Sequence, residues 1–173
     1  MAGATIAALL FARGIAVTRV RNPAGAGPGR IVAVPMASVE LLASLWDIAP
    51  GRLFGGRLVT SRQVAWESRV TTAVAFPALV CDTAALAARL AAELDARGVP
   101  ATIDQPPKAA PDSFTILATG SARRTNGAIA GGNRIAILGW VEHLSGFEVS
   151  SIAVKAFNKG WLFAAPIRRR ASL

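Results

Sequence analysis

An α+β fold is predicted for this chain, and three observations predict it. The hydrophobic pattern switches repeatedly between the two-residue repeat of strands and the 3.6-residue repeat of helices. Between residues 30 and 104 these switches run strand, helix, strand, strand, helix, strand. The chain has 173 residues, 53% of them hydrophobic, which is enough for a core in one domain or in two small ones.

Taken in order, the elements begin with the apolar stretch MAGATIAALLFARGIAV. It resembles a secretory h-region, yet no basic residue precedes the apolar part and Arg13 interrupts it. A span needs roughly 20 apolar residues, so no membrane span is expected and the expected location is cytoplasmic. Residues 14–22 alternate as a strand, and NPAGAGPG (22–29) carries turn chemistry. RIVAVPMA (30–37) reads as a buried strand. Ser38 is the expected N-cap of a helix whose Val39, Leu42, Leu45, Trp46 and Ile48 or Ala49 share one face, and Pro50-Gly51 is expected to end it.

Strands follow over 56–64 and 70–81, with Pro77 marking an edge position or a bulge in the second. DTAALAARLAAELDARG (82–98) is the clearest element: Asp82 caps it, strong helix formers fill it and Gly98 stops it. VPATID (99–104) adds a short strand. The order is ferredoxin-like, which places a four-stranded antiparallel sheet under two helices.

QPPKAAPD (105–112) has little to bury and reads as a linker between an N-terminal domain, 1–104, and a second unit, 113–173. That unit contains a strand (113–120), a glycine-rich loop (121–133), a helix (134–146) and strands over 147–157 and 160–167. It is most of a second, abbreviated ferredoxin-like copy.

Charge narrows the function. The formal net charge is +9, from 19 Lys+Arg against 10 Asp+Glu, and sixteen of the cations are arginine. The guanidinium fork matches phosphate oxygens in pairs, so the bias points to a polyanion. Two segments carry candidate binding chemistry. In GSARRTNGAIAGGNR the glycines free backbone N–H groups to face an anion beside Arg123, Arg124 and Arg134. In VKAFNKGWLFAAPIRRR, Lys155 and Lys159 frame Phe157, Asn158 and Gly160, and Arg168, Arg169 and Arg170 close the segment. There Phe157 and Trp161 offer stacking faces to an unpaired base, the alternative being that both belong to the core.

Other chemistry finds little support. Cys81 ends an apolar run and reads as a small buried hydrophobe. One Cys and one His give neither zinc-site spacing nor a nucleophilic triad, and no nucleotide-phosphate loop motif is present. No cofactor or metal is called for. His143 is the one side chain whose ordinary pKa lies near neutrality, and so the simplest acid–base candidate.

KAFNKGWLFAAPI resembles the closing glycine-rich motif and last strand of the CRISPR repeat-RNA endoribonucleases of Cascade-type systems. SFTILATG, RRTNG, GNRI and LGWVEHLSGFEV are similar to that family's middle portion, and ELLASLWDIAP to its first helix. The family belongs to the RAMP superfamily, whose members pair two ferredoxin-like domains around a hairpin of repeat RNA. The resemblance implies metal-independent cleavage of RNA, a repeat-hairpin or guide-RNA ligand and partner subunits in a ribonucleoprotein complex. The matches are disconnected pieces within 38–170. Leu42 stands where the family presents its catalytic histidine, and Ser150, Ser151 and Ile152 stand in place of glycines.

The expectation is therefore a RAMP-like RNA-binding subunit, an endoribonuclease if the family activity carries over. The alternative of a different class is a structural assembly protein, such as a phage or particle component, with a basic face toward packaged nucleic acid.

Overall fold

The computed structural model describes residues 2–20, 29–66, 71–102, 116, 147–157 and 160–166. The fold is α+β. Its elements are α1 (Ala2–Ala12), β1 (Arg19–Val20), β2 (Ile31–Pro35), α2 (Met36–Trp46), α3 (Pro50–Phe54), β3 (Arg57–Trp66), β4 (Thr72–Asp82), α4 (Thr83–Ala96), β5 (Ala101–Thr102), β6 (Ser151–Phe157) and β7 (Gly160–Ala164). A five-stranded sheet has the order β2-β4-β3-β6-β7, and β1 pairs in parallel with β5 in a separate two-stranded ribbon.

The N-terminal apolar stretch folds as α1 and supplies core. Ala7 and Ala8 are buried, and the indole Nε1–H of Trp46 donates to Thr5 Oγ1 at 3.1 Å. Trp46 is fully buried among Val39, Leu53, Phe54, Leu86, Leu90, Leu94 and Val99. Leu86, Leu90 and Leu94 recur every four residues, which puts one stripe of α4 against this cluster. A second cluster consists of Val59, Ala78, Val80 and Ile152, with Ile31, Ala33, Phe76 and Phe163 packed on it.

Helix ends follow local chemistry. Asp82 Oδ1 accepts from the Ala84 N–H at 2.8 Å, so the expected cap is in place. At the far end Gly98 takes φ +75°, its N–H donates to Asp95 O at 2.9 Å, and the Val99 N–H donates to Leu94 O at 3.0 Å. This is the Schellman arrangement, and Val99 and Leu94 supply its apolar contact in the core.

Helix α2 departs from the expectation at both ends. It begins at Met36, directly after β2, with Pro35 at the N-cap, so Ser38 lies inside the first turn and caps nothing. Proline's fixed φ is already suited to that junction. Its C-terminus is Asp47 in the left-handed region (φ 52°), with the Asp47 and Ile48 N–H groups donating to Ser44 O and Ala43 O. Pro50 does not end α2; it opens α3 from the first helical turn, where its missing N–H costs nothing.

Strand β4 lies between β2 and β3 and antiparallel to both, so β2, α2 and β3 form a split βαβ unit. The register with β3 slips between Val59/Ala78 and Ser61/Ala75, leaving Phe76 and Pro77 opposite Thr60. Pro77 therefore sits in a bulge, just past the Pro35/Ala78 pair where β2 ends. The strand expected over 14–22 is confined in the described residues to β1. β5, expected in the main sheet, joins β1 instead. Arg19 holds β1 there: its guanidinium pairs with Asp95 and donates to Ala91 O at 3.2 Å, while its N–H donates to Pro100 O at 3.0 Å.

The strands from the C-terminal portion extend the sheet of the N-terminal portion. β6 runs parallel to β3 over Ser61/Ser151 to Trp66/Ala156, and β7 returns antiparallel to β6. Residues 103–115, which include the Pro-rich linker, lie outside the described residues. Asp82→Ala is predicted to cost about 1 kcal/mol through loss of the α4 cap, read as a lower urea midpoint, with Asp82→Asn retaining most of the stability.

Candidate nucleic-acid interface

Of the residues singled out as candidate sites, Lys155 is described. Arg123, Arg124, Arg134, His143, Lys159, Arg168, Arg169 and Arg170 lie outside the described residues. Lys155 sits on β6, exposed, with its Nζ 5.3 Å from the ring centroid of Phe157. Residues two apart on a strand share a face, so the contact follows from the pleat. A cation over an exposed aromatic is worth about 0.5–1 kcal/mol, enough to favour this arrangement without fixing it.

Phe157 and Trp161 are surface side chains. Phe157 is 50% exposed and Trp161 72% exposed. Trp66, at the end of β3, is 68% exposed. Trp66 pairs with Ala156, and Ala156 with Trp161, so two exposed tryptophans flank an alanine in one cross-strand row. In the adjoining row Ala65, Lys155 and Leu162 face the other way. One end of the sheet thus carries a lysine and a phenylalanine on one face and two tryptophans on the other.

Trp66 was not legible as part of this group. The strand pattern read from the sequence stops at Val64, and nothing local to Trp66 says that β3 pairs with a strand some ninety residues later. Its one signal is the run of alternation continuing through Val64-Ala65-Trp66.

A polar chain running from buried Ser151 to exposed Glu148 pins the β3–β6 register. Ser61 Oγ and Ser151 Oγ are 2.5 Å apart, and Ser151 Oγ donates to Glu148 Oε2 at 3.2 Å. Ser151 is fully buried, so both contacts satisfy a hydroxyl that would otherwise be stranded from water. The Thr60 N–H also donates to Ser150 O, at 2.8 Å. Glycines are not required at 150–152, because this segment enters the sheet through side-chain bonds.

Several arginines serve the fold. Besides Arg19, Arg97 pairs with Glu93 at 3.2 Å, donates to Trp46 O and lies 5.4 Å from the Trp46 ring centroid. Arg89 donates to Arg52 O at 3.3 Å, and Arg62 lies 5.1 Å from the ring centroid of Phe76. A shallow depression beside α2 is lined by Glu40, Ser44, Asp47 and Pro50, and its two carboxylates make it unsuited to a polyanion.

Among the described residues no group of three His, Cys, Asp or Glu side chains lies together to hold a metal ion, and no helix is long and apolar enough to cross a membrane. Comparison with protein-family models and with curated proteins finds no match.

Cys81 is buried in the helix-side core, as its apolar setting implies. Burial pushes its thiol pKa up, and the neighbouring Asp82 carboxylate pushes the same way. A raised thiol pKa favours the neutral form in the fold, so its contribution is complete below the unfolded-state pKa and is lost as pH rises through the folded one. Alkylation of Cys81 by iodoacetamide at pH 8 is predicted to be at least about tenfold slower in native protein than in urea.

Proposed function

We propose that this chain is an RNA-binding subunit of the RAMP kind, in which ferredoxin-like elements present cations and aromatic rings to a repeat RNA. The observation that carries the RNA-binding reading is the end of β6 and β7: exposed Lys155 over exposed Phe157 on one face and exposed Trp161 on the other, in a chain of net charge +9. Cations that follow a phosphate chain and rings that stack on its bases are the two components of single-strand binding, and neither requires a particular base sequence. The split βαβ unit and the motif resemblance support the finer RAMP reading.

Cleavage is a separate step. Breaking the RNA backbone without a metal needs a group to take the 2′-hydroxyl proton, another to protonate the leaving oxygen, and cations for the crowded phosphorane. Leu42 cannot move a proton. His143 is the candidate for that role, and the arginines of the glycine-rich segment are candidates for the last.

The assembly-protein reading draws on the same exposed tryptophans, since apolar surface of this kind also joins subunits. The two readings separate on salt. Binding of a repeat-type RNA hairpin is expected to weaken steeply as salt rises, because each neutralised phosphate releases counterions. Self-assembly through apolar rings persists or strengthens with salt.

For the RNA reading, Arg123→Ala with Arg124→Ala is expected to weaken RNA binding and to reduce the slope of log affinity against log salt by about 1.4, the value for two single-strand phosphate contacts. An unchanged slope removes that segment from the site. His143→Ala is expected to leave RNA affinity unchanged and to abolish cleavage where cleavage is measured; persistent cleavage overturns the acid–base assignment.

A further inference from the structure

We infer that Trp66, Ala156 and Trp161 form an aromatic slot that takes one unpaired nucleobase, with the two indoles as walls and the alanine as floor. The inference rests on the RNA reading above and names the part of the ligand that this surface would contact.

The geometry comes from the ladder. Trp66, Ala156 and Trp161 occupy one row across β3, β6 and β7. Neighbouring strands lie about 4.8 Å apart, so the backbones of the two tryptophans are about 10 Å apart across the alanine. Stacked planar rings repeat about every 3.4 Å, so a ring held between two indoles needs about 7 Å between their planes. The spacing of about 10 Å between the backbones therefore leaves room for a base between the indoles. A larger residue at 156 would fill it.

The neighbouring row on the same face is Val64, Val154 and Phe163, all half-buried, so the slot has an apolar inner end. Its outer end lies at the Phe157/Gly160 pair, which closes the β6–β7 hairpin. Two tryptophans left more than two-thirds exposed present roughly 300 Å² of apolar surface, the size of patch that in a monomer is commonly functional. Of the other large apolar side chains at this end, Phe163 packs on the second core, Phe157 carries Lys155, and Leu162, half exposed, stands on the opposite face.

A base is favoured over a second copy of the chain by the charge. At +9, two copies repel, whereas a nucleic acid strand is drawn to the chain; Lys155, next to Ala156 on β6, stands at the same end of the sheet on its opposite face. An indole pair also matches a flat ring better than it matches a convex aliphatic side chain.

The test compares the full-length chain's affinity for a 12-nucleotide oligouridylate with that for an abasic strand of equal length. Base stacking on aromatic side chains predicts a preference for the base-bearing strand of roughly five- to hundredfold. Trp161→Ala and Trp66→Ala are each expected to bring that ratio close to one, and Ala156→Leu to do the same by filling the floor. Both tryptophans are exposed, so unchanged urea midpoints are expected for their alanine variants.

A ratio that stays high in Trp161→Ala and Trp66→Ala overturns the slot. A wild-type ratio near one, with both strands bound and steeply salt-dependent, overturns the slot and leaves the RNA reading standing. Failure to bind either strand at low salt sinks both. Dimerisation lost in Trp161→Ala, with no preference for bases, assigns the surface to a second copy and also overturns the slot.

Discussion

The parallel pairing of β6 with β3 is the constraint on which the rest of this molecule depends. β3 is hydrogen-bonded on both sides, to β4 in an antiparallel ladder and to β6 in a parallel one. Without the second ladder, β7 has no sheet to join and the candidate interface does not exist. A parallel pair cannot be closed by a tight turn, and some eighty residues of chain lie between the two strands. Closing so long a loop costs more entropy than a hairpin, though the cost grows only slowly with length. Register is the harder problem, because a slip by one residue turns every side chain to the opposite face. The Ser61, Ser151 and Glu148 hydroxyl and carboxylate contacts address it, since a slipped strand would leave a fully buried hydroxyl with no partner.

Net charge alone does not locate a binding surface here, because the fold uses part of it. Arg19 ties β1 to α4, Arg97 covers Trp46 and braces the end of α2, and Arg89 reaches the backbone of α3. Arginine suits these tasks for the same reason that it suits phosphate: a flat head with several donors can stack on a ring and bond a carbonyl at once. Lys155 differs. It lies over the exposed Phe157 ring, which leaves the ammonium facing water and able to meet a phosphate.

How much of this was legible in the sequence follows from how local each cause is. Helix α4 was readable because the Asp82 cap, the leucine stripe and Gly98 all lie within the element itself. The start of α2 was misread, since Ser38 looks like a cap by residue type, while the actual boundary is set by Pro35 and by β2 running straight into the helix. The bulge at Pro77 was half readable. Proline forbids one ladder bond, but whether it sits at an edge or in a bulge depends on where β2 ends. β5 was found as a strand but not its partner, which Arg19 determines from eighty residues away. At the candidate interface, Lys155, Phe157 and Trp161 were visible because they are neighbours in sequence. Trp66 was not, because only the sheet brings it to them.

Among the described residues β2 and β7 are the outer strands of the sheet, and they bear on what kind of partner its exposed end can take. β2 and β7 each have five residues, and β2 ends at Pro35 while Pro166 follows two residues after β7. Short edges bounded by proline offer few backbone donors to a further strand, which is how sheets avoid growing by edge-to-edge pairing. Among the described residues, association through backbone hydrogen bonds is thereby disfavoured at both outer strands. What β7 and its neighbours present instead is side chains: two indoles, a phenyl ring and an ammonium group at the closed end of a hairpin. These groups lie on the two faces of the sheet end, and contact with them runs through side chains and not through a backbone ladder, which is the kind of contact the proposed RNA reading requires.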